Sequence, residues 1–321
     1  MDARLRFLQI GIGSAGVLGN SVVCAVIGRV PAMRTVTNAF IFNQALADFL
    51  GSLFMILYTE VKAPAVLHSN TVVATAQCYI WHSKVILWVL YTTSTLNLVA
   101  LTLERYVAIV FPFKYVTYFG RKQATVLLSA VWLLAVGYKV TNSLYYQIVD
   151  RACVYAHLTA VASMVWGVVA FLVEYLMPLI FMTACYVHIA VKLKKASMLV
   201  HTRPASAQRG ECVSGSLLRA RRNTLKTLFT VFVTYAICWS PNQIAFLMFN
   251  FGFLPEMSGT FYFFSVALVQ LNCCINPIIY AFKYKQFQTG VRVVLKPCCQ
   301  RLTPSHKNEL PTVARSHNDR A

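Results

Sequence analysis

Seven long apolar runs alternate along the chain with shorter polar or basic segments. Each run reaches the roughly 20 residues that a helix needs to cross the hydrocarbon core of a bilayer, which is about 30 Å thick. The pattern therefore predicts seven membrane-spanning helices, one to seven in chain order. Their predicted bounds are 7–28, 38–60, 79–110, 123–144, 164–193, 224–250 and 260–282.

A different pattern follows the seventh run. Apolar residues alternate with bases from Phe282 to Leu295, which indicates an amphipathic helix on a membrane surface. The predicted fold class is an all-α membrane protein, a seven-transmembrane helix bundle with a short amphipathic eighth helix. This domain covers residues 1–296, and residues 297–321 are predicted to form a disordered cytoplasmic tail.

The composition agrees with a membrane protein. Hydrophobic residues make up 58% and charged residues 12% of the chain, against roughly 45–50% and 25% in soluble domains. No cleavable signal sequence precedes the first run, so we expect helix one to serve as its own insertion signal. The connection 194–218 is dominated by Ser, Arg, Gly, Pro and Ala and is predicted to be a disordered loop.

The net charge of +19 invites a nucleic-acid interpretation. However, 22 of the 29 basic residues fall on one side of the predicted bundle, in the segments that follow helices one, three, five and seven. Basic residues accumulate in the cytoplasmic connections of membrane proteins. The distribution therefore predicts an extracellular N-terminus and a cytoplasmic tail, and it argues against nucleic-acid binding.

The ten cysteines divide by location. Only Cys78 and Cys153 fall on the oxidising face, where they are the one plausible disulfide. Cys153 belongs to segment 145–155, which is β-prone on both sides of a central turn and predicts an external hairpin. Cys298 and Cys299 follow the predicted eighth helix. Palmitoylation there would fasten the helix to the membrane, and two free cytosolic thiols are the alternative.

One motif with a chemical meaning is set aside. Gly11, Gly13 and Gly16 fit the dinucleotide-binding fingerprint, but no strand precedes them and no acid follows at the required distance. Small residues in a membrane helix allow close helix contact instead. The histidines lack the spacing of a metal or catalytic pair, so no catalytic residue and no enzyme activity are predicted. A transporter is disfavoured because no internal repeat is found.

Polar residues within the apolar runs are expensive in a membrane and suggest function. They are Asn20, Asp48, Ser94, Asn272 and Asn276. If they converge on one buried spot, their oxygen atoms could hold Na⁺ or share a proton. A polar network that only joins helices is the alternative.

The run from Asn276 to Tyr280 predicts a hinge in helix seven. Pro277 removes a backbone donor and kinks the helix, and the neighbouring Asn276 is expected to satisfy the carbonyls that this frees. Tyr280 ends the run just before the bases Lys283 and Lys285, which places the hinge near the cytoplasmic surface.

These residues carry a resemblance to a known family. The chain resembles the rhodopsin-like (class A) G protein-coupled receptors over its whole length, and it is most similar to receptors of the neuropeptide type. The matching positions are Gly19-Asn20, Leu46-Ala47-Asp48, Glu104-Arg105-Tyr106, Trp132, Pro178 with Tyr186, Cys238-Trp239-Ser240-Pro241 and Asn276 to Tyr280. Each match is weak alone, but their order along seven helices is specific.

The resemblance implies a two-state switch. Arg105 would rest beside Glu104 and extend toward a G protein when the cytoplasmic end of helix six swings outward. The other members of the switch would be Tyr106, Tyr186, Arg221, Trp239, Pro241, Asn276, Pro277 and Tyr280. Asp48, Ser94, Asn272 and Asn276 would form an allosteric sodium site, with no other cofactor required. The expected partners are an extracellular ligand, a heterotrimeric G protein, arrestin, a receptor kinase and the lipid of the plasma membrane.

Three departures from the family pattern have consequences. Cys78 lies 27 residues before Arg105, where the family usually has 25, so the disulfide needs a bulge or an extended helix top. Tyr235 stands where helix six usually carries phenylalanine. Arg221 occupies the place where an acid often clasps the arginine of helix three. Because like charges cannot form that latch, we predict appreciable ligand-independent signalling.

The resemblance also excludes two classes of ligand. Leu87 stands where aminergic receptors carry aspartate, and Gln270 stands where opsins carry the lysine that binds retinal, so neither an amine nor retinal is expected. A neuropeptide is favoured, and a lipid or another small non-amine ligand is the alternative. The predicted pocket comprises Lys84, Leu87, Trp88, Tyr91, Glu174, Trp239, Asn242, Gln243, Tyr262 and Gln270. The sequence leaves open whether Glu174 pairs with a basic group of the ligand or with an internal polar residue.

Overall fold

The computed structural model describes residues 3–156, 158–201, 211–254 and 259–302. Within these ranges, the side chains of residues 197, 199–201, 211–222 and 296–302 are not described. The expectations for the side chains of Arg221, Cys298 and Cys299 therefore lie outside the described part of the chain, as do those for residues 303–321.

Seven helices in the described ranges are long and apolar enough to cross a membrane. They are α1 (Ala3–Arg29), α2 (Val36–Glu60), α3 (Thr71–Val110), α4 (Arg121–Ser143), α5 (from Ala160 to His201), α6 (Glu211–Asn250) and α7 (Gly259–Lys283). An amphipathic helix, α8 (Lys285–Leu302), follows. A 3₁₀ turn (Pro31–Met33) and a short helix (Pro112–Tyr118) lie in the connections. The predicted fold class is confirmed.

The helices pack around one apolar core. α1 lies against α2 and α7, α3 lies against α2, α4 and α5, and α6 lies against α5 and α7. Phe40, Leu101 and Met182 are fully buried members of this core. The outer surface is also apolar, since Leu133 and Leu134 are 73% and 63% exposed. Such a surface matches lipid tails and not water.

The glycines of α1 serve a close helix contact. A Cβ atom on Gly16 would overlap the side chain of Ser52, and one on Gly13 would meet Ile56 at 2.7 Å. Both partners belong to α2, so the small residues let α1 and α2 approach closely. The helical interpretation of the glycine motif is confirmed.

Two predicted disordered segments are partly helical. The prediction for 194–218 is wrong at 194–201 and 211–218, where α5 and α6 continue beyond the apolar runs. The helical part also extends beyond the boundary predicted after residue 296, because α8 ends at Leu302. Extending an existing helix needs no new nucleus, so helix-forming residues beyond the membrane continue it readily.

The hairpin predicted for 145–155 is confirmed. Strand β1 (Tyr146–Val149) pairs antiparallel with strand β2 (Ala152–Tyr155). Asp150 and Arg151 form the turn with φ values of 48° and 61°, the left-handed conformation that suits the twist of a two-residue hairpin loop. Hydrogen bonding between the peptide groups of Arg151 and Leu67 docks the hairpin on the α2–α3 connection.

The disulfide between Cys78 and Cys153 is also confirmed. The bulge that its spacing requires is present at the top of α3. Residues Gln77–His82 form a π-helical turn, and Lys84 then adopts a left-handed conformation with φ of 53° before the regular helix begins. These two irregularities absorb the extra residues between Cys78 and the rest of α3.

Candidate ligand cavity and switch network

A cavity of about 510 Å³ lies at the end of the bundle that carries the hairpin. This volume is typical of pockets for small molecules or for part of a larger ligand. The hairpin supplies Tyr146 and Tyr155, so it forms part of the wall. Burial raises the pKa of Tyr155 to about 12, which keeps its hydroxyl neutral and able to donate. The other aromatic wall residues include Trp88, Tyr145, Trp166 and Tyr262.

Half of the predicted pocket residues line this cavity. They are Trp88, Glu174, Asn242, Gln243 and Tyr262. The other five do not line this cavity, so a ligand contact stays a prediction for Lys84, Leu87, Tyr91, Trp239 and Gln270. Lys84 is exposed at the α3 bulge, and the remaining four are buried in the bundle. Gln270 is held there because its Nε2 donates to the backbone carbonyl of Gln9 at 2.8 Å.

Lys139 and Glu174 form a buried ion pair in the cavity wall. Lys139 Nζ lies 2.7 Å from Glu174 Oε1, and the two side chains are 4% and 10% exposed. The hydroxyl of Tyr138 donates to the same oxygen at 2.8 Å. Lys139 Nζ also lies 5.6 Å from the centre of the Trp88 ring, a favourable cation–π distance. Glu174 therefore has the internal partner that the sequence left open.

Two amide oxygens in the same wall lack donors. Gln243 is 3% exposed, and its Oε1 accepts no hydrogen bond from the residues described here. The same holds for Oδ1 of Asn142. A buried acceptor without a donor costs about 1–3 kcal/mol. A bound group that carries N–H or O–H donors would remove this cost.

Trp239 lies one helical turn below Gln243 in α6 and connects the cavity to the core. Its ring packs edge-on against Tyr91, with ring centres 6.4 Å apart, and at a tilt of 44° against Tyr235, with ring centres 5.9 Å apart. Pro241 lies inside the same helix between the cavity and this layer. A movement of the cavity wall therefore reaches α3 and the middle of α6 through these rings.

Two tyrosines tie α5 to α6. α5 contains a π-helical turn at Leu172–Leu176. Tyr235 of α6 donates its hydroxyl to the backbone carbonyl of Glu174 in this turn at 3.0 Å. In the opposite direction, the hydroxyl of Tyr175 lies 2.5 Å from Ser240 Oγ. The hydroxyl of Tyr235, absent from a phenylalanine, thus restrains α6.

Asp48 is fully buried at the centre of the bundle and accepts hydrogen bonds from three helices. Ser94 Oγ donates to its Oδ1 at 2.8 Å, and Asn276 Nδ2 donates to its Oδ2 at 2.9 Å. Gln44 Nε2 contacts both oxygens, at 3.3 and 3.2 Å. Asn272 is 1% exposed, and its Oδ1 has no donor among the described residues. The structure thus joins three of the predicted sodium residues and adds Gln44.

The donors around Asp48 do not suit a sodium ion. Such a cation is held by oxygen atoms directed at it, whereas Gln44 directs its amide N–H groups at Asp48 and Ser94. The sequence contained a signal for this contact, because residues four apart on a helix share a face. A polar side chain four residues before a buried carboxylate is therefore placed to bond it.

The carbonyl freed by Pro277 has a different partner from the one predicted. Proline lacks the N–H that would bond the carbonyl of Cys273, four residues earlier. Asn20 Nδ2 of α1 donates to this carbonyl at 2.9 Å. The prediction that Asn276 does so is wrong, because its amide is engaged by the carboxylate of Asp48.

The opposite end of the bundle holds a second buried carboxylate, Glu104. Arg105 pairs with it, Thr37 Oγ1 donates to it at 3.2 Å, and the hydroxyl of Tyr115 donates at 2.5 Å. Burial and this hydrogen bond raise the pKa of Tyr115, which therefore stays protonated as a donor. Arg105 lies where the resemblance places it at rest.

Three of the other predicted switch residues are tyrosines. The hydroxyl of Tyr106 lies 3.0 Å from Nδ1 of His188 on α5. Thr102 Oγ1 lies 3.4 Å from the hydroxyl of Tyr186. Tyr280 is 1% exposed, and its hydroxyl bonds none of the described residues. Tyr186 and Tyr280 are buried in the bundle, whereas Tyr106 is half-buried.

A ligand-sized cavity at one end, a held arginine at the other and a layered core between them define a membrane receptor of the seven-helix class. Residues 19–280 match the family described as 7 transmembrane receptor (rhodopsin family). This match covers most of the chain, which therefore belongs to the rhodopsin family of seven-transmembrane receptors. Coupling to G proteins is general to this family, whose members are receptors and not enzymes.

The chain is also similar over most of its length to several individual receptors. It is 25% identical to the allatostatin-A receptor of Bombyx mori over 297 residues, which are 88% of this chain and 77% of that protein. It is 26% identical to neuromedin-U receptor 2 of Mus musculus, with 92% and 76% covered. It is 28% identical to the substance-K receptor of Mesocricetus auratus, with 94% and 77% covered.

Proposed function

We propose that the receptor binds an extracellular peptide in the cavity beside the hairpin and activates a heterotrimeric G protein by an outward movement of α6. The position of Gln243 in the wall, one helical turn from Trp239 in the same helix, carries this proposal. A ligand group that engages Gln243 also acts on the helix that holds Trp239 and Tyr235. It thereby alters the contacts that tie α6 to α5.

The chemistry of the wall supports a peptide. Peptides carry many N–H donors, and the acceptors Gln243 Oε1 and Asn142 Oδ1 have none from the described residues. Lys139 can bind a negatively charged ligand group and Glu174 a positively charged one at the same wall. The relatives named above are neuropeptide receptors, which favours the same ligand class over a lipid.

Activation follows from two states of one bundle. With Arg105 paired to Glu104 and α6 tied to α5, the present contacts are those expected at rest. A ligand that binds the other state more tightly shifts the population toward it. In that state α6 moves outward, Arg105 extends toward the G protein, and Tyr186 and Tyr280 move in behind it.

The proposed location is the plasma membrane, with the hairpin end outside and α8 in the cytoplasm. The concentration of basic residues on the α8 side supports this orientation. The Cys78–Cys153 disulfide supports it too, because disulfides persist in oxidising compartments. Arrestin and a receptor kinase would act at the cytoplasmic face, and palmitoylation of Cys298 and Cys299 stays a prediction.

A screen in cells tests the ligand and the coupling together. Cells that express the receptor with a panel of G protein biosensors would be exposed to peptide, lipid and small-molecule libraries. We expect a peptide to stimulate nucleotide exchange. A lipid as the only agonist would support the alternative ligand, and no exchange on any G protein with any compound would contradict the proposed signalling.

The peptide found in this screen allows a test of the cavity. Gln243→Leu removes the unpaired acceptor and a hydrogen bond worth about 0.5–1.5 kcal/mol, so agonist potency should fall about 2–10-fold at equal surface expression. Leu134→Ala on the lipid-facing surface is the matched control and should leave potency unchanged. Unchanged potency in Gln243→Leu would place the ligand elsewhere.

A further inference from the structure

A relay of side-chain amides runs from α4 to the centre of the bundle. Trp132 Nε1 donates to Asn43 Oδ1 at 2.9 Å. Asn43 Nδ2 donates to Asn97 Oδ1 at 3.0 Å, and Asn97 Nδ2 donates to Gln44 Oε1 at 2.8 Å. Gln44 Nε2 then reaches both carboxylate oxygens of Asp48. Every amide in this relay accepts from one neighbour and donates to the next.

Two groups that cannot exchange roles fix the direction of the relay. The indole N–H of Trp132 can only donate, so Asn43 must turn its oxygen to the indole and its NH₂ to Asn97. Independently, Asn97 Nδ2 also donates to the backbone carbonyl of Phe40 at 3.0 Å, and a carbonyl can only accept. Both constraints turn the oxygen of Gln44 toward Asn97, which leaves its NH₂ for Asp48.

Burial makes this direction hard to reverse. Asn97, Gln44 and Asp48 are 0% exposed, and Asn43 is 8% exposed. If one amide turned over, two donors or two acceptors would face each other where no solvent can compensate. The N–H groups of Gln44 are therefore a fixed feature of the Asp48 site.

We propose that Gln44 takes the place of a cation at Asp48. Hydrogen bonds from N–H and O–H groups stabilise an ionised carboxylate, and Gln44, Ser94 and Asn276 supply them from three helices. The carboxylate thus needs no metal ion, and the amide N–H groups occupy the space beside it. The resting receptor is consequently insensitive to Na⁺, and Gln44 is the residue that determines this.

The same geometry predicts what the loss of Gln44 would do. Asn272 Oδ1 and Asn276 Oδ1 are buried and accept no hydrogen bond from the described residues. In Gln44→Met, a side chain of similar length carries no amide, so oxygens of Asp48, Ser94, Asn272 and Asn276 become available to an ion. This variant should gain the sodium response that the natural receptor lacks.

Thermal unfolding of the purified receptor tests the proposal without a ligand or a G protein. The Tm would be measured in NaCl and in N-methyl-glucamine chloride at equal ionic strength. We expect equal Tm values for the natural chain and a saturable rise of about 2–4 °C with Na⁺ for Gln44→Met. The control Gln44→Met with Asp48→Asn should show no rise, because the charge that attracts the ion is gone.

Two outcomes would overturn the proposal. One is a saturable rise in the Tm of the natural receptor with Na⁺ that Asp48→Asn abolishes. The other is a Gln44→Met variant that responds to Na⁺ no more than the natural chain does. If Gln44→Met does not fold, Gln44→Ala replaces it, since it removes the same amide with a smaller side chain, and it should gain the same response.

Discussion

Tyr235 shows how a single hydroxyl group changes the restraint on a helix. A phenylalanine here would keep the ring contact with Trp239 but lose the hydrogen bond to the carbonyl of Glu174. The sequence identifies the departure, yet it cannot give the partner, because that carbonyl lies in a π turn of another helix. The hydroxyl favours the resting arrangement of α5 and α6.

Tyr235→Phe should therefore raise signalling without a ligand. A lost hydrogen bond of about 0.5–1.5 kcal/mol shifts a two-state equilibrium about 2–10-fold. Basal nucleotide exchange on the G protein, normalised to surface expression, is the measurement. Tyr262→Phe, which changes a cavity residue of α7, is the matched control. Basal exchange that does not rise in Tyr235→Phe would show that the tie does not restrain α6.

Glu174→Gln tests the ion pair in the wall. It leaves Lys139, which is 4% exposed, without a carboxylate in a site from which solvent is largely excluded. We expect agonist potency to fall well beyond any loss of surface expression. The exchange of both residues, Lys139→Glu with Glu174→Lys, should restore expression. Restored expression together with full potency would mean that the ligand contacts neither charge.

The hairpin and α3 depend on one covalent link. Breaking the Cys78–Cys153 bond opens a loop with a sequence separation of 75 residues, which corresponds to about 4 kcal/mol of chain entropy. Cys153→Ser should lower the Tm and the agonist potency, since Tyr146 and Tyr155 of the hairpin line the cavity. Cys78→Ser and the double variant should behave the same. A double variant clearly worse than either single one would contradict a shared bond.

Sequence patterns predict the elements of this fold better than the contacts between them. The seven apolar runs, the hairpin at 145–155 and the bulge before the rest of α3 follow from local spacing. The rotation of each helix about its axis does not, which is why Leu87 and Gln270 are buried and do not line the cavity. Likewise, the spacing of Gln44 and Asp48 shows a shared face, but only the packed bundle shows the amide relay.

The balance of the whole receptor between its two states combines opposing effects. The ties between α5 and α6 favour rest, whereas the sequence places the positive charge of Arg221 where an acid often holds the arginine of helix three. Arg221→Glu should supply an attractive partner for Arg105 and lower basal nucleotide exchange. Arg221→Gln, which removes the charge without reversing it, should have a smaller effect. Equal basal exchange in the natural receptor, Arg221→Glu and Arg221→Gln would show that the charge at this position does not affect Arg105.

The hydrogen bond from Asn20 to the carbonyl of Cys273 has a consequence for biosynthesis. The ribosome delivers α1 well before the kinked α7. A carbonyl freed by proline inside lipid needs a donor as soon as it inserts, and its donor has by then waited in the bilayer for the synthesis of about 250 residues. The carbonyl that Pro277 frees is thus satisfied only when α7 packs against α1, which couples the insertion of α7 to completion of the bundle.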